Sequence, residues 1–581
     1  MTNAEIARAL YELADALELG GGADAAFRVR ALRQGARTID GLADSVADRL
    51  VAGTLTQVRG IGEGIARRVE ELVTTGKIAD LDKLRARMSP GLVEVARVEG
   101  IGPKTADLFF RELGIASLDD LEAAAKAGRL RALPRIGPRK EEAILEAVGR
   151  ARAFRGRVRL DRAEKEAAPF VDRLRALPTV ARVELAGSVR RRRETVADVD
   201  ILVDSSDAAA AMAAFVGMGL VDAVLAHGPT KASVKTRGGL QVDVRVVPAE
   251  SFGAALHYFT GSKDHNVAIR ALGVRRGLLI NEYGVFEGRG DGPRIGGAEE
   301  VDVFRAVGLP WIPPELRENR GEIEAALAGK LSHLVEVGDL RGDLHTHTDE
   351  TDGRNTLAEM VAAAAALGRE YMAVTDHSQA LKMVRGLDPE RLRAQGRRIR
   401  EMNERTGGAP RLLRGIEADI LVDGSIDLGP EVLAELDWVI GSVHSHFQLP
   451  RAEQTARVVR AIESGLIDVL GHPTGRKIGE RAEIDLDLEV VVDAARRCGV
   501  ALEVNSYPDR LDLRDEHARL AIDRGAFVVI DTDAHATDHL RGLAYGVNVA
   551  RRAWIEPRHV LNTRPLEGLL AHRADRRNVR S

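Results

Sequence analysis

From about residue 339 to the C-terminus, strand-like apolar runs alternate with helix-like stretches. These runs occur in YMAVTDH, LIDVLGHP, ALEVNS and FVVIDTDAH, and each ends in a cluster of polar residues. Such alternation predicts parallel strands joined by crossover helices. In a barrel of such units the carboxyl ends of the strands meet at one face, where these folds carry their chemistry. The pattern therefore predicts a barrel-like α/β domain with a functional site at that face.

The rest of the chain must form further domains, because 581 residues exceed what one hydrophobic core supports. Residues 1–150 show short helical patterns separated by Gly-rich turns. Strand-like runs begin near residue 180, in VARVELAGSV, VADVDILVD and QVDVRVV. Near residue 310, the segment WIPPELRENRGEIEAALAG is typical of a domain end followed by a linker.

Composition indicates a folded protein of a reducing compartment. Hydrophobic residues make up 45% of the chain, and no apolar run approaches the roughly 20 residues that span a bilayer. The N-terminal stretch has regularly spaced acids, unlike a secretory signal, and the single cysteine, Cys498, excludes an intramolecular disulfide. We therefore expect a cytoplasmic location without membrane attachment. The net charge is −4, but residues 131–159 are densely basic, which permits DNA binding.

A short glycine-containing pattern recurs in the N-terminal region. It reads VRGIGEGIARRVEEL at 58–72, VEGIGPKTADLFFREL at 98–113 and, less completely, PRIGPRKEEAILEAV at 134–148, where Arg135 replaces the first glycine. One copy alone is equally consistent with a plain turn between helices. Two complete copies resemble the helix-hairpin-helix motif, whose glycines let backbone N–H groups approach DNA phosphates. The resemblance implies DNA contacts at Gly60, Gly62, Gly64, Gly100, Gly102 and Lys104.

Two carboxylates share one face of the strand predicted in VADVDILVD. Asp198 and Asp200 alternate along this strand, and Asp243 lies in the similarly apolar QVDVRVV. Three converging carboxylates make an oxygen-rich site that suits Mg²⁺ and two-metal phosphoryl transfer. The preceding Gly-Ser turn with Arg190 and Arg191 behind it suits a triphosphate. The alternative is that Asp200 caps a strand and that the arginines form a solvated edge.

The Gly-Ser pair, the Asp-Val-Asp strand and the later aspartate resemble the nucleotidyltransferase palm of family X DNA polymerases. HYFTGSKDHNVAIRALG (257–273), LLINEYGVF and WIPPELRE are similar to the thumb of that family. The resemblance implies Mg²⁺ or Mn²⁺ at Asp198, Asp200 and Asp243, with Asp243 also helping to activate the primer 3′-hydroxyl. It implies contacts with the incoming nucleotide at Gly187, Ser188 and Arg191 (triphosphate), Tyr258, Phe259 and Gly261 (sugar), and Asn266 and Arg270 (near the base pair).

One departure from that family concerns the lyase activity of its eukaryotic members, which use a lysine Schiff base after the first hairpin. Arg68 occupies the corresponding position, and no lysine precedes Lys77. A guanidinium stays protonated and is a poor Schiff-base nucleophile. We therefore do not expect lyase activity.

Nine candidate metal ligands follow residue 339, nearly all at predicted strand ends. Imidazole and carboxylate groups without thiolate favour Zn²⁺, Mn²⁺ or Fe²⁺, and nine ligands suit a cluster of two or three ions. Any one of these histidines alone would more often be a core residue. The ligands are His345, His347, Asp352, His377, Glu417, His444, His472, Asp533 and His535.

The order HTH, DH, E, H, H, DAH resembles the polymerase-and-histidinol-phosphatase (PHP) domain, a phosphoesterase family. The family pattern selects His444 rather than His446 as the sixth ligand. Its metals would activate water for attack on a phosphoester. Arg385, Arg451 and Arg476 are candidate phosphate-binding residues.

Together the resemblances imply a multidomain DNA repair enzyme, a nucleoid-associated monomer acting on dNTPs and gapped DNA. It would fill short gaps in base excision or end repair, and its PHP domain would act as a 3′–5′ exonuclease, 3′-phosphatase or abasic-site endonuclease. The alternatives are a small-molecule phosphatase with a vestigial polymerase part, and a non-catalytic DNA-end clamp. The expected domains are two helical helix-hairpin-helix regions at 1–85 and 86–158 (the second being the fingers), an α+β palm at 159–255, a thumb at 256–318, a linker at 319–338 and an α/β PHP barrel at 339–575.

Overall fold

The computed structural model describes the chain except residues 1–2, 21–24, 41, 43–44, 59, 88–89, 97, 135, 155, 289–291, 408 and 579–581. The chain divides into two compact units. One consists of residues 1–155 with 479–482, and the other of residues 156–478 with 483–581. None of the helices in the described ranges has the length and apolar character needed to cross a membrane.

The first unit is helical, as the Gly-rich turns predict. One apolar core is built from buried side chains within residues 6–81, and a second from buried side chains within residues 92–148. Its helices are α1 (Asn3–Gly20), α2 (Ala25–Asp40), α3 (Val46–Val51), α4 (Glu63–Thr75), α5 (Ala79–Arg87), α6 (Pro90–Ala96), α7 (Pro103–Leu113), α8 (Leu118–Lys126) and α9 (Pro138–Phe154).

The two complete glycine patterns form equivalent turns. In each, the second glycine (Gly62 or Gly102) is the N-cap of the following helix, α4 or α7. The first glycine has a positive φ, +98° at Gly60 and +79° at Gly100, a conformation that L side chains rarely adopt. The prediction for Arg135 in the third copy falls outside the described residues.

The second unit begins with a five-stranded sheet in the order β2-β4-β7-β6-β5. Strands β4 and β7 are parallel, and the other neighbours are antiparallel. Phe170 and Phe215 pack in the core between the sheet and its helices. The elements are β1 (Val158–Arg159), α10 (Leu160–Arg175), β2 (Val180–Leu185), α11 (Gly187–Arg190), β3 (Thr195–Val196), β4 (Asp198–Ser205), α12 (Ala208–Val216), β5 (Val221–His227), β6 (Lys231–Thr236) and β7 (Gln241–Val247).

The next region combines helices with a three-stranded antiparallel sheet. The buried Glu300 accepts hydrogen bonds from Arg190 (2.5 and 2.9 Å), Arg317 (2.6 Å) and the Trp311 indole (2.8 Å). This carboxylate thereby ties the region to the first sheet. The elements are α13 (Phe252–Thr260), α14 (Lys263–Arg275), β8 (Leu278–Asn281), β9 (Gly284–Glu287), β10 (Arg294–Gly296), α15 (Glu300–Ala306) and α16 (Glu322–Leu327).

The C-terminal region is the predicted parallel α/β barrel. Seven strands pair in sequence order from β11 to β17, and a parallel bridge between Thr346 and Ala534 joins the first strand end to the last. The elements are β11 (Gly342–Asp343), α17 (Leu357–Ala366), β12 (Tyr371–Val374), α18 (Pro389–Thr406), β13 (Arg411–Asp419), α19 (Pro430–Ala434), β14 (Trp438–Ser442), α20 (Arg451–Glu463), β15 (Val469–Leu470), α21 (Leu488–Cys498), β16 (Ala501–Asn505), α22 (Asp515–Asp523), β17 (Val528–Asp531), α23 (Leu543–Arg552) and α24 (Leu566–Asn578).

We expect Glu300→Gln to lower the free energy of unfolding by about 3 kcal/mol at pH 7, because it breaks a buried ion-pair network. Burial alone would raise the pKa of Glu300, but Arg190 and Arg317 hold it well below its usual range. A carboxylate with a depressed pKa stabilises the fold above its unfolded-state pKa, near 4.5, and loses this contribution as the pH falls. The difference between wild type and variant should therefore shrink below about pH 4.5. Denaturant titration followed by tryptophan fluorescence measures it.

Glu299→Gln is the matched control for this variant. Glu299 is 69% exposed, pairs with Arg182 at 3.2 Å and caps the first turn of α15 with its side chain. Glutamine keeps an oxygen for the cap, so this substitution should cost under about 1 kcal/mol. Equal effects of the two substitutions would contradict the role given to Glu300.

Candidate metal centres

Asp198 and Asp200 on β4 and Asp243 on β7 form the first candidate centre. Because β4 and β7 are parallel, Asp200 lies directly opposite Asp243 in the register. Asp198, two residues earlier, points to the same face of the sheet. The Gln241 amide donates to both oxygens of Asp243, at 3.2 and 3.1 Å. Asp200 and Asp243 line a cavity of about 150 Å³ together with Lys231, Arg245 and Phe259.

The three carboxylates repel one another. Burial, reinforced by the charges of Asp198 and Asp243, raises the pKa of Asp200 to about 7. Burial and Asp243 also raise the pKa of Asp198. A divalent cation would relieve this repulsion, so the residues fit the ion that the sequence predicts.

Gly187 allows the turn before β4 to approach this centre. Its φ is +59°, and a Cβ at this position would lie 2.4 Å from Asp200 Oδ2. A larger residue would therefore displace the carboxylate. Ser188 follows within the short helix α11. The sequence predicts that Arg190 lies behind a triphosphate site. In the structure its guanidinium instead donates to both oxygens of Glu300.

Arg191 is held between two segments. Its Nη1 donates to the Thr260 carbonyl and its Nε donates to Glu318 at 3.2 Å. A Cβ on Gly261, whose φ is +69°, would come within 3.1 Å of Arg191 Nη1. The structure thus brings Arg191 against the TGS turn at 260–262, whose sequence predicts contact with the same nucleotide.

The aromatic pair predicted near the sugar lies beside the carboxylates. Phe259 lines the cavity, and the centre of its ring lies 4.5 Å from the Arg245 guanidinium. The Tyr258 ring packs edge-on against the Phe259 ring, with the two ring centres 5.1 Å apart. The buried Asn266 donates to the Tyr258 carbonyl at 2.7 Å and accepts from Arg270 through its own carbonyl at 3.4 Å. Asn266 therefore fixes the backbone of the aromatic pair.

The second candidate centre lies at the carboxyl ends of the barrel strands. Its ligand atoms form three groups, each with all atoms within 4.8 Å of one another. The groups share His347 and His377, and His472 Nε2 lies 3.0 Å from Glu417 Oε1 at their edge. The structure thus brings all nine predicted side chains together. The groups are His347, Asp352, His377 and His535; His345, His347 and Asp533; and His377, Glu417 and His444.

Glu417 lies at the middle of this cluster. Its Oε2 is 2.8 Å from His377 Nδ1 and 3.5 Å from His345 Nε2, and its Oε1 is 3.2 Å from His444 Nε2. Burial alone would raise the pKa of Glu417, but the surrounding histidines hold it well below its usual range. A buried carboxylate surrounded by imidazoles combines the ligand types that hold divalent metal ions such as Zn²⁺.

Several atoms of the cluster are buried without a hydrogen-bond partner among the described residues. They include His345 Nε2, His347 Nδ1 and Glu417 Oε2. Buried polar atoms cost free energy unless they are paired, and metal ions would pair them. The donor set therefore fits the predicted ions.

Sequence reasoning missed the residues that orient these ligands. Glu503, fully buried on β16, lies 2.6 Å from His345 Nδ1 and accepts from the His472 backbone N–H. Asn505 donates to Asp533 at 3.1 Å. Such carboxylate–histidine pairs fix the imidazole tautomer and strengthen the ligand. The sequence feature that could have revealed Glu503 is a glutamate in the middle of the otherwise apolar strand ALEVN.

Comparisons with known proteins agree with this architecture. The chain matches family models described as helix-hairpin-helix domain (residues 1–78), SAM-like helix-hairpin-helix tandem (92–150), DNA polymerase beta thumb (255–318) and PHP domain (343–506). It is 36% identical over 573 residues to the DNA polymerase/3′-5′ exonuclease PolX of Bacillus subtilis (strain 168), covering 98% of this chain and 99% of that protein. This chain is a family X DNA polymerase with a PHP domain.

Two other relatives cover parts of the chain. DNA polymerase lambda of Rattus norvegicus is 27% identical over 290 residues, covering 45% of this chain and 48% of that protein. A probable phosphatase of Shewanella amazonensis (strain ATCC BAA-1098 / SB2B) is 32% identical over 234 residues, covering 39% of this chain and 88% of that protein.

Around the PHP cluster of this family X chain, two of the three arginines predicted to bind phosphate form ion pairs with acidic residues outside the cluster. Arg476 is buried and pairs with Glu194 at 2.5 Å. Arg451, at the start of α20, pairs with Asp487 at 3.5 Å. Arg385 donates to the carbonyls of residues 349 and 351, near Asp352. Arg510, which the sequence analysis did not predict, has its Nε 3.6 Å from Asp533 Oδ2, and its Nη1 is buried without a hydrogen bond to any described residue.

In the helix-hairpin-helix regions of this polymerase, all six predicted DNA-contacting residues are exposed. A Cβ at Gly62, Gly100 or Gly102 would meet nothing within 4 Å, so these turns are open to a partner. Arg68 is engaged locally, because it donates to the Gly64 carbonyl at 2.7 Å and to Asp80 at 3.0 Å.

We expect Glu503→Gln to weaken metal binding at the PHP cluster by about 10- to 100-fold, because His345 loses its anionic partner. Competition with a chelator, followed by metal analysis of the protein, measures the affinity. Glu463→Gln is the control and should leave the metal affinity unchanged, since that residue is exposed on α20 and pairs with Arg497 at 2.9 Å. Full metal retention in Glu503→Gln would rule out this role.

Proposed function

We propose that this protein is a DNA-directed DNA polymerase that fills short gaps during DNA repair, and that its PHP domain hydrolyses phosphoesters at DNA 3′ ends. One observation carries the proposal: a complete carboxylate triad and a complete nine-ligand cluster occur in one chain. That chain corresponds over nearly its full length to a relative named for both activities.

At the polymerase site, Mg²⁺ or Mn²⁺ held by Asp198, Asp200 and Asp243 would supply positive charge for the triphosphate and the attacking oxygen. Asp243 would take part in removing the proton of the primer 3′-hydroxyl. That oxygen would then attack the α-phosphorus, and pyrophosphate would leave. Ser188 and Arg191 would bind the triphosphate oxygens.

The remaining nucleotide contacts would come from α13 and α14. Tyr258, Phe259 and Gly261 would lie against the sugar, and Asn266 and Arg270 near the base pair. The proximity of Phe259 to Asp200 in one cavity supports this arrangement. Because the glycine hairpins would contact the DNA backbone rather than the bases, the polymerase would act on DNA without sequence preference. It would act as a monomer.

At the PHP site, the nine ligands would hold two or three Zn²⁺, Mn²⁺ or Fe²⁺ ions, which would supply Lewis acidity for phosphoester hydrolysis. Glu417 would be the central residue holding these ions, and Glu503 would fix the orientation of His345. A 3′–5′ exonuclease is the leading activity. Removal of a 3′-phosphate is the second candidate, because relatives that match 35 to 39% of the chain are named probable phosphatases.

Separation of the two activities tests the proposal. We expect Asp243→Asn to reduce nucleotide incorporation into gapped DNA by about 10³-fold while sparing 3′-end hydrolysis, and His347→Ala to do the reverse. Gapped substrates ending in a 3′-hydroxyl or a 3′-phosphate, assayed with and without Mn²⁺, distinguish exonuclease from phosphatase. Asp222→Asn and His446→Ala, both exposed, are the controls. Loss of both activities in either active-site variant would contradict two independent sites.

Arg510 would bind a phosphoryl oxygen beside the PHP ions through its unpaired Nη1. We expect Arg510→Gln to lower the rate of 3′-end hydrolysis by about 10- to 100-fold with metal content unchanged, because a charge-assisted contact to the reacting phosphate is lost. Arg514→Gln, which removes a half-exposed guanidinium near Glu483, is the control. Metal loss in Arg510→Gln would assign that residue to the stability of the cluster instead.

A further inference from the structure

Arg552 connects the PHP barrel to the polymerase nucleotide site. It is the last residue of α23, and its side chain is only 4% exposed. Its Nη1 donates to the Arg191 carbonyl at 2.8 Å and to Glu318 Oε1 at 3.0 Å. Its Nη2 donates to Asp515 at 2.9 Å. A residue of the PHP barrel thus binds the backbone of Arg191, which is proposed to hold the triphosphate.

Glu318 is shared between Arg552 and Arg191. The same oxygen, Oε1, accepts from Arg191 Nε at 3.2 Å and from Arg552 at 3.0 Å, and Arg193 lies 3.8 Å away. Burial alone would raise the pKa of Glu318, but the Arg191 and Arg552 guanidinium groups hold it below its usual range. Glu318 therefore stays ionised near neutral pH, next to the site where a triphosphate would bind.

An ionised carboxylate at this place has two effects on nucleotide binding. It orients the Arg191 guanidinium, but it also competes with phosphate oxygens for that guanidinium and repels them. Arg552 supplies a second positive charge to Glu318. With Arg552 present, Arg191 can transfer hydrogen bonds to a triphosphate without leaving a buried carboxylate uncompensated.

Asp515 and Arg320 complete the network on the barrel side. Asp515, the first residue of α22, accepts from Arg552 and also from Arg320 at 3.4 Å. Arg552 is therefore fixed from two sides, by Glu318 and by Asp515. Its position depends on the barrel, whereas its effect falls on the polymerase site.

We propose that Arg552 of the PHP domain is a positioning residue for nucleotide incorporation, which neutralises Glu318 and holds the Arg191 backbone so that Arg191 is available to the incoming triphosphate. The proposal rests on the polymerase function proposed above. Arg552 acts through Arg191 and Glu318. Its loss should therefore affect nucleotide affinity more than the chemical step.

The test uses the full chain and single-nucleotide insertion into gapped DNA. We expect Arg552→Gln to raise the KM for the dNTP by about 10-fold, equivalent to about 1.4 kcal/mol, with kcat changed by less than about 2-fold. Hydrolysis at 3′ ends by the PHP site, measured in the same preparation, should stay at the wild-type level. Arg552→Lys, which keeps the charge, should recover most of the affinity.

Arg551→Gln is the matched control. Arg551 precedes Arg552 on α23 and also bridges to the thumb side, through Glu315 at 2.8 Å, but among the described contacts it does not touch Arg191 or Glu318. Its substitution should change the KM by less than about 2-fold. An equal KM increase in both variants would mean that any loosening of the interface has this effect, and would overturn the proposal.

A second-site rescue separates positioning from general stability. In the Arg552→Gln background, Glu318→Gln removes the uncompensated carboxylate and should bring the KM back towards the wild-type value. An unchanged KM in Arg552→Gln, or no recovery in the double variant, would overturn the proposal. If Arg552→Gln loses both polymerisation and 3′-end hydrolysis, and Arg552→Lys restores neither activity, the proposal is also overturned. If the wild-type protein incorporates no nucleotide, the polymerase function itself fails, a result distinct from these.

Discussion

Both candidate centres depend on parallel strand pairing, which places equivalent ends of neighbouring strands side by side: the amino ends of β4 and β7 in the palm, and the carboxyl ends of the strands in the barrel. In the palm, the one parallel pair in the sheet, β4 and β7, sets Asp200 opposite Asp243. In the barrel, seven parallel strands bring residues from distant parts of the chain to one face, as in the bridge between His377 and Glu417. Antiparallel neighbours would reverse every second strand end and disperse these ligands. The backbone hydrogen-bond pattern thus determines where metals can bind.

Bringing charged side chains together creates electrostatic repulsion, and the two centres differ in how the charges are arranged. The palm has carboxylates without imidazoles, so burial, reinforced by the charges of Asp198 and Asp243, raises the pKa of Asp200 to about 7. In the barrel, carboxylates and histidines alternate around the site. Burial alone would raise the pKa of Glu417, but these histidines hold it well below its usual range. The first arrangement suits a cation that enters with its nucleotide, and the second suits ions held permanently.

Local patterns were sufficient to predict the elements, and the structure brings the predicted ligand residues together. The α/β alternation, the glycine hairpins and the carboxylates on alternate strand positions follow from periodicity, and the fold class is confirmed. The partners of arginines could not be predicted in this way. Arg190 with Glu300 and Arg476 with Glu194 join residues more than 100 positions apart, and no local spacing encodes such pairs. Glu503 was missed for a similar reason, because a single buried glutamate gains meaning only once His345 lies beside it.

The bridge between Thr346 and Ala534 has a consequence for the order of events during synthesis. His345 and His347 emerge early in the barrel, yet their neighbour Asp533 follows nearly 190 residues later. A nascent chain therefore exposes the palm carboxylates long before it can complete the histidine cluster. During that interval the polymerase part has all its ligands while the hydrolytic part lacks its last two. Completion of the nine-residue cluster is thus deferred until the final strand has been made.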